Sequence, residues 1–439
     1  MSAYLRFFER RTERHLAENA TRGVVPPASA SHGPSPGERY SRDWRALVPP
    51  LGLREYWYPA VPARRVPRRK PLYWRMLGDE IAFFRTKDGA IAAASDICPH
   101  RGGSMSRGFC FYKGTISCPY HGATFDETGE CKAFLAEGPE SRMVGALKIK
   151  VYPTRLLRGW VFIWMGETAP APIEEDVPPE LFEGADNETL FLTTYTYWRC
   201  NWMLAIENQS DSHNYFYAHR NSILQLTRNR ARPRTPIGGA SRIINGRSLI
   251  ALMKEKSHYA DPSGKEPYQL YYPGIDGYWP IGQWRRWLWA LFAPWYWLVY
   301  NRWRKRYRSS GEWDPGVGLW HLPCAVRINL GFYALTRFAV PVTEDVSRII
   351  YFHHRPKARW AVGRLAQIAW YYAYFNWWFH YNFSSQDGDI AAPCRYWTSE
   401  HLSSTDSHLV ALRKLITEGS RDVQRSSRTA KATQEEKQW

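Results

Sequence analysis

Cysteine and histidine recur as two tight pairs in the first half of this 439-residue chain, Cys98-Pro99-His100-Arg101-Gly102 and Cys118-Pro119-Tyr120-His121-Gly122, with 17 residues between His100 and Cys118. Two thiolates and two imidazoles on short loops can hold one tetrahedral zinc ion. They can equally hold a two-iron cluster in which one iron takes both sulfurs and the other both nitrogens. The residue types leave both open, but the loops lean toward the cluster. Each carries a Pro and a following Gly, which lets backbone N–H groups approach inorganic sulfide, and Cys-x-His is tighter than zinc-finger spacing. A second set lies at Glu207-Asn208-Gln209-Ser210-Asp211-Ser212-His213-Asn214, with His219 beyond it. Two histidines and a carboxylate leave open positions for O2 on a non-haem ferrous ion. On a regular helix six residues turn about 600°, so His213 and His219 share a face only if a π-bulge or break falls near Asn214.

The elements that must position these residues read as an α+β chain. Residues 57–165 alternate short β-branched and aromatic runs with turn pairs such as Asp88-Gly89, Gly102-Gly103 and Arg158-Gly159, which predicts a small antiparallel β domain over 46–168. A Pro- and acid-rich stretch at 170–180 marks the boundary. Helical patterns at 198–219, 360–385 and 405–418 and strand patterns at 235–255 and 320–353 predict a larger domain over 169–420, an antiparallel sheet flanked by helices. Residues 1–45 read as a short helix and flexible lead, and 421–439 as a disordered polar tail. Charged residues from Arg6 to Arg14 leave no apolar secretory core. Seven scattered cysteines speak for a reducing compartment, and Cys110, Cys131, Cys200, Cys324 and Cys394 read as ordinary buried thiols.

The first constellation resembles the Rieske iron–sulfur domain at all four ligand positions, within the frames Asp96-Ile97-Cys98-Pro99-His100-Arg101-Gly102-Gly103 and Gly114-Thr115-Ile116-Ser117-Cys118-Pro119-Tyr120-His121-Gly122, and in the strand from Gly159 to Gly166. The second resembles the catalytic domain of Rieske non-haem iron oxygenases, the ring-hydroxylating oxygenase α subunits or terminal oxygenase components. That family's pattern is Glu-Asn-x-x-Asp-x-x-His with a second His four or five residues later. Glu207, Asn208, Asp211 and His219 fit it, whereas His213 lies one residue early and Asn214 takes the usual His place. The resemblance covers about residues 55–418, weakens around 255–320, and implies a site. Cys98, His100, Cys118 and His121 would bind a [2Fe–2S] cluster, and His213, His219 and Asp387 a mononuclear Fe(II), with Asn214 and Asp389 as second choices. Asp211 would bridge the two centres between subunits, supported by Asn208.

The function implied is that of a terminal oxygenase which hydroxylates a bulky, apolar, cyclic substrate with O2, as a monooxygenase or dioxygenase. Oxidative demethylation, desaturation, or electron transfer by a Rieske protein with a degenerate iron site are the alternatives. A ferredoxin or flavin reductase would supply electrons to a head-to-tail homotrimer, since the chain has no Gly-rich nucleotide motif. The basic run Arg64, Arg65, Arg68, Arg69, Lys70 would attract an acidic ferredoxin or form a solvated face. A net charge of +18 with 22 Trp raises nucleic acid as a partner, but no nucleic-acid module accompanies it and none is expected. The segment 284–308, six Trp among flanking Arg and Lys, reads either as an interfacial membrane contact or as an aromatic insertion at 275–312 that lids the pocket or packs between subunits. The expected location is cytoplasmic, with or without membrane association. The apolar stretch 365–383, with Asn376, His380 and Asn382, is expected to line the iron pocket.

Overall fold

The computed structural model describes residues 48–182, 189–208, 218–221, 237–255, 317–329, 334–394, 400–402 and 406–424. The expected leader, the insertion at 275–312 and the residues Asp211, His213 and Asn214 lie outside the described residues, as do 425–439.

Ten short strands form between residues 48 and 182: β1 (Trp57–Pro62), β2 (Leu72–Met76), β3 (Asp79–Arg85), β4 (Ile91–Ser95), β5 (Ile116–Ser117), β6 (Ala123–Phe125), β7 (Cys131–Phe134), β8 (Val151–Tyr152), β9 (Thr154–Leu157) and β10 (Trp160–Trp164). They make three small antiparallel sheets, ordered β1-β10-β9, β2-β3-β4-β8 and β5-β6-β7. The side-chain alternation of β3 explains how they join. Ile81 and Phe83 face a core shared with the second domain, while Ala82 and Phe84 face a separate core containing Cys98, Cys118, Ile116, Phe125 and Phe134. The ligand loops therefore sit on their own packed base.

The second domain is built on a seven-stranded antiparallel sheet. Its strands are β11 (Thr189–Trp198), β12 (Ile237–Ile244), β13 (Ser248–Glu255), β14 (Val317–His321), β15 (Ala325–Asn329), β16 (Ala334–Thr343) and β17 (Val346–Pro356), in the order β11-β17-β16-β15-β14-β13-β12. Three helical segments complete it among the described residues. The short helix α1 (Trp202–Glu207) follows β11, and a long helical rod runs from α2 (Ala361–Trp370) through two π turns, Tyr371–Phe375 and His380–Ser384, to α3 (Ser385–Ala391). Helix α4 (Ser407–Gly419) closes the domain. Among the described residues of the helix expected over 198–219, Trp202–Glu207 are α-helical; Trp198 ends β11, and Asn201 starts the helix by accepting the Met203 N–H at 2.9 Å.

Trp160, Trp164, Trp202 and Trp320 are fully buried in the shared core. Arg421–Gln424, expected within the disordered tail, form a helical turn instead. Asp422 accepts the Arg54 N–H at 2.6 Å, and Arg421 pairs with Asp176 and Glu175 at 2.8 Å. These polar residues are ordered by charged partners in the first domain, which local composition does not reveal. Cys131, Cys200 and Cys324 are buried as expected, but Cys110 is half-buried and Cys394 exposed. No helix among the described residues is long and apolar enough to cross a membrane.

Candidate metal centres

The two ligand loops of the first domain have the same backbone design. In each, the glycine four residues after Cys donates its N–H to the Cys carbonyl, at 2.8 Å for Gly102 and 3.0 Å for Gly122, and both glycines sit at φ +70. Each Cys N–H in turn donates five residues ahead, Cys98 to Gly103 and Cys118 to Ala123. The left-handed conformation explains glycine at both positions. Asp96 secures the first loop by accepting the Ser104 hydroxyl at 2.7 Å and the Ser106 N–H at 2.5 Å. The second is tied by Ser117 and Thr124, whose hydroxyls lie 2.8 Å apart.

The four side chains lie as two pairs, thiol beside thiol and imidazole beside imidazole. Both thiols are buried, and the His100 and His121 rings stand edge to face at 4.8 Å, backed by Phe134. Burial pushes the Cys98 thiol up to about 11, and neighbouring Cys118 adds to the rise, while the His100 and Arg101 N–H groups point at the sulfur and oppose it. Amide donors aimed at a buried sulfur, two sulfurs together and two imidazoles together suit a cluster with one Cys-bound and one His-bound iron. His121 Nδ1 is shielded and lacks a hydrogen-bond partner among the described residues, as an imidazole oriented toward a metal would. A Cβ on Gly103 would lie 2.9 Å from Cys118 Sγ, so glycine keeps this cradle open.

The second centre is assembled from distant segments. Gly388 lets α3 press against β11, where a side chain would meet the Trp198 ring at 2.9 Å, and this sets Asp387 beneath the sheet. His219, on the 3-10 turn Ala218–Asn221, meets it there: His219 Nε2 lies 3.1 Å from Asp387 Oδ1, and both side chains are almost wholly buried. Asn208 Nδ2 approaches the same oxygen at 3.4 Å. Two ligand atoms each about 2.1 Å from one ion and at right angles would stand about 3 Å apart, so the pair suits a shared metal. Asp389, the second choice, points to the exposed side. Among the described residues no three His, Cys, Asp or Glu side chains converge on one point. That follows if each cluster iron takes two protein ligands and His213 lies outside the described residues.

Sequence reasoning missed the supports of this pair. Gln386 Oε1 lies 3.2 Å from His219 Nδ1, and Phe383 stacks on the His219 ring at 3.8 Å. Behind Asn208, Arg413 of α4 grips Glu207 at 2.8 and 3.1 Å and Glu400 at 2.7 and 2.9 Å. Burial works against the Arg413 charge, but the two carboxylates outweigh it and raise its pKa. A buried helix residue such as Glu207 signals a partner, though not which one.

Residues 56–153 match the family model described as the Rieske [2Fe-2S] domain, and residues 164–234 that of the homotrimeric ring hydroxylase. The chain carries a Rieske domain followed by a ring-hydroxylase domain. Among characterised relatives, the terminal oxygenase component of carbazole 1,9a-dioxygenase from Sphingomonas sp is 33% identical over 193 residues, 44% of this chain and 50% of that protein. The oxygenase component of dicamba O-demethylase from Stenotrophomonas maltophilia is 31% identical over 168 residues, 38% and 48% of the two chains. The aligned stretches thus span about half the length of these relatives. The terminal oxygenase of carbazole 1,9a-dioxygenase from Nocardioides aromaticivorans superposes with a TM-score of 0.65 at 21% identity, covering 86% of this chain and 97% of that one, which establishes the shared fold. An oxygenase in reduced complex with ferredoxin superposes at 0.62 and 23% identity, covering 85% and 91%. The Rieske domain accounts for the paired loops, and the ring-hydroxylase domain begins at the end of β10.

Proposed function

We propose that this protein is a terminal oxygenase which uses O2 and electrons from an external ferredoxin or flavin reductase to hydroxylate, once or twice, a bulky apolar cyclic substrate. The observation that carries the proposal is the meeting of His219 and Asp387 beside Asn208, in a chain whose Rieske domain pairs Cys98 with Cys118 and His100 with His121. A pure electron carrier needs only the latter. When bound, the cluster supplies single electrons and a ferrous ion offers open positions to O2. Cys98, His100, Cys118 and His121 would hold the cluster. His219, Asp387 and His213 would hold the ferrous ion, with Asn214 as second choice for the last.

The surrounding residues supply orientation. An amide oxygen only accepts, so Gln386 fixes the His219 proton on Nδ1 and leaves the Nε2 lone pair facing Asp387. Asn208 holds the carboxylate, and Phe383 covers the imidazole against water. Asp211 would orient His121 of one chain against an iron-ligating histidine of the next in a homotrimer. The homotrimeric description of the matching model and the ferredoxin complexes among similar structures support those partners. A cytoplasmic location belongs to the same proposal, since free ligand thiols need a reducing compartment. Peripheral membrane contact through 284–308 is a separate proposal that rests on composition, tested by liposome flotation.

The demethylase relative favours a second reading, oxidative removal of a methyl group from an aryl ether. Oxygen uptake with a generic ferredoxin and reductase pair tests both, over polycyclic aromatics and aryl methyl ethers. Hydroxylated product marks the first reading and formaldehyde the second. Asp387→Ala abolishes uptake while Asp389→Ala retains it; uptake that survives Asp387→Ala contradicts the iron site.

A further inference from the structure

Arg337 on β16 stands directly opposite Tyr351 on β17 in the strand register. Its guanidinium makes three contacts. Nη2 donates to the Ala205 carbonyl of α1 at 2.8 Å, the Tyr351 hydroxyl accepts a second bond, and the Trp198 ring lies beneath the group at 5.0 Å. Each contact leads on to Asp387. The Tyr351 hydroxyl bonds the Ser384 hydroxyl just before α3, and the Trp198 ring meets Gly388 just after Asp387. Helix α1 carries Asn208, whose amide approaches the Asp387 carboxylate.

Arg337 is 3% exposed, and a guanidinium keeps its proton in a folded protein. Buried charges are normally paired or bound to a metal. Two other buried arginines follow this rule, Arg327 holding Glu180 at 2.6 Å and Arg413 holding Glu207 at 2.8 Å. Arg337 has no carboxylate partner among the described residues, and its Nε–H has no acceptor there. Asp387 and Arg337 instead act with opposite sign on the same Tyr351 hydroxyl, which places the cation within electrostatic reach of the carboxylate. A cation beside an iron site opposes the loss of an electron, because the ferric ion carries one more positive charge. At an effective dielectric of about 20, a unit charge on the order of 10 Å away shifts such a balance roughly tenfold.

We propose that Arg337 is a positioning residue of the mononuclear site, whose buried charge favours the ferrous over the ferric state and whose donors hold α1 and α3 in place around Asp387. This deepens the oxygenase reading and rests on Asp387 and His219 as iron ligands.

The test is a redox titration of the full chain, loaded with cluster and iron, using dithionite and dye mediators. The ferric ion is followed by electron paramagnetic resonance, and the cluster in the same sample serves as the internal reference. Arg337→Met is expected to raise the ferric to ferrous ratio about tenfold at a fixed potential, a fall of about 59 mV, with the cluster potential unchanged. Arg337→Gln gives the same shift and decides the matter if Arg337→Met does not fold. Arg337→Lys keeps the ratio within about twofold of wild type but loses iron faster to a chelator, because a point charge does not reproduce the planar fork. A ratio within twofold of wild type in the uncharged variants, or an equal shift in Arg337→Lys, overturns the proposal while leaving the oxygenase reading intact. A wild-type chain that takes up no mononuclear iron overturns both.

Discussion

Gln386 and His219 are joined through the imidazole nitrogen that faces away from Asp387: Nδ1 lies 3.2 Å from the Gln386 oxygen while Nε2 lies 3.1 Å from the Asp387 carboxylate. Adjacent residues of α3 thus hold both sides of one ring. Outer partners of this kind fix a ligating histidine's tautomer and typically contribute about 10–100-fold in metal affinity. Gln386→Ala is expected to weaken the mononuclear site by that order, read as iron lost during dialysis against a chelator, with acid-labile sulfide unchanged. Gln386→Glu, a stronger acceptor, retains the iron.

Gly103 faces Cys118 across the cluster cradle. With a Cβ only 2.9 Å from the sulfur, Gly103→Ala forces the two ligand loops apart. Visible absorbance and sulfide analysis are expected to show a lower cluster content, with iron at the His219–Asp387 site retained.

Arg413 ties α4 to α1 through Glu207, and both side chains are buried. Removing one partner of such a pair leaves an uncompensated charge inside, which costs roughly 3–5 kcal/mol. Arg413→Met is expected to lower the urea midpoint accordingly. Adding Glu207→Gln recovers part of the loss, whereas additive effects would show that the pair is not coupled.

His321 is half-buried and His354 buried, and both are neutral. His321 donates from Nε2 to the Glu175 carbonyl at 3.0 Å and accepts from Ser248 at 2.7 Å, and burial pushes His321 to about 4 and His354 to about 3. In the unfolded chain both titrate near 6.5. Below that pH the unfolded state binds protons that the folded state refuses. Stability is therefore full above about 6.5 and falls as pH drops toward 4, by up to about 1.4 kcal/mol per pH unit for each histidine. His321→Gln and His354→Gln each flatten this slope in thermal unfolding scans between pH 7 and 4, and an unchanged slope contradicts the assignment.

The Rieske domain was legible because its four candidate ligands lie on two local loops, where Cys, Pro, His and Gly types nearly fix the backbone. The ring-hydroxylase domain was legible as α+β, and Asp387 was separable from Asp389 only once α3 had been seen to turn one inward and the other outward. Phe383, Arg413 and Tyr351 carried no local signal, since their roles arise from contacts between segments far apart in sequence. The tryptophan excess pointed to an insertion and to the rod before Asp387. Trp160, Trp164, Trp202 and Trp320 also fill the core where the two domains meet, a placement that sequence periodicity does not distinguish from ordinary strand and helix burial.

Iron and acid-labile sulfide determination on the purified chain tests the central claim most directly. The account predicts about three irons and two sulfides per chain, from one cluster and one mononuclear site. Two irons with two sulfides would reduce the protein to an electron carrier, and zinc without sulfide would contradict the account.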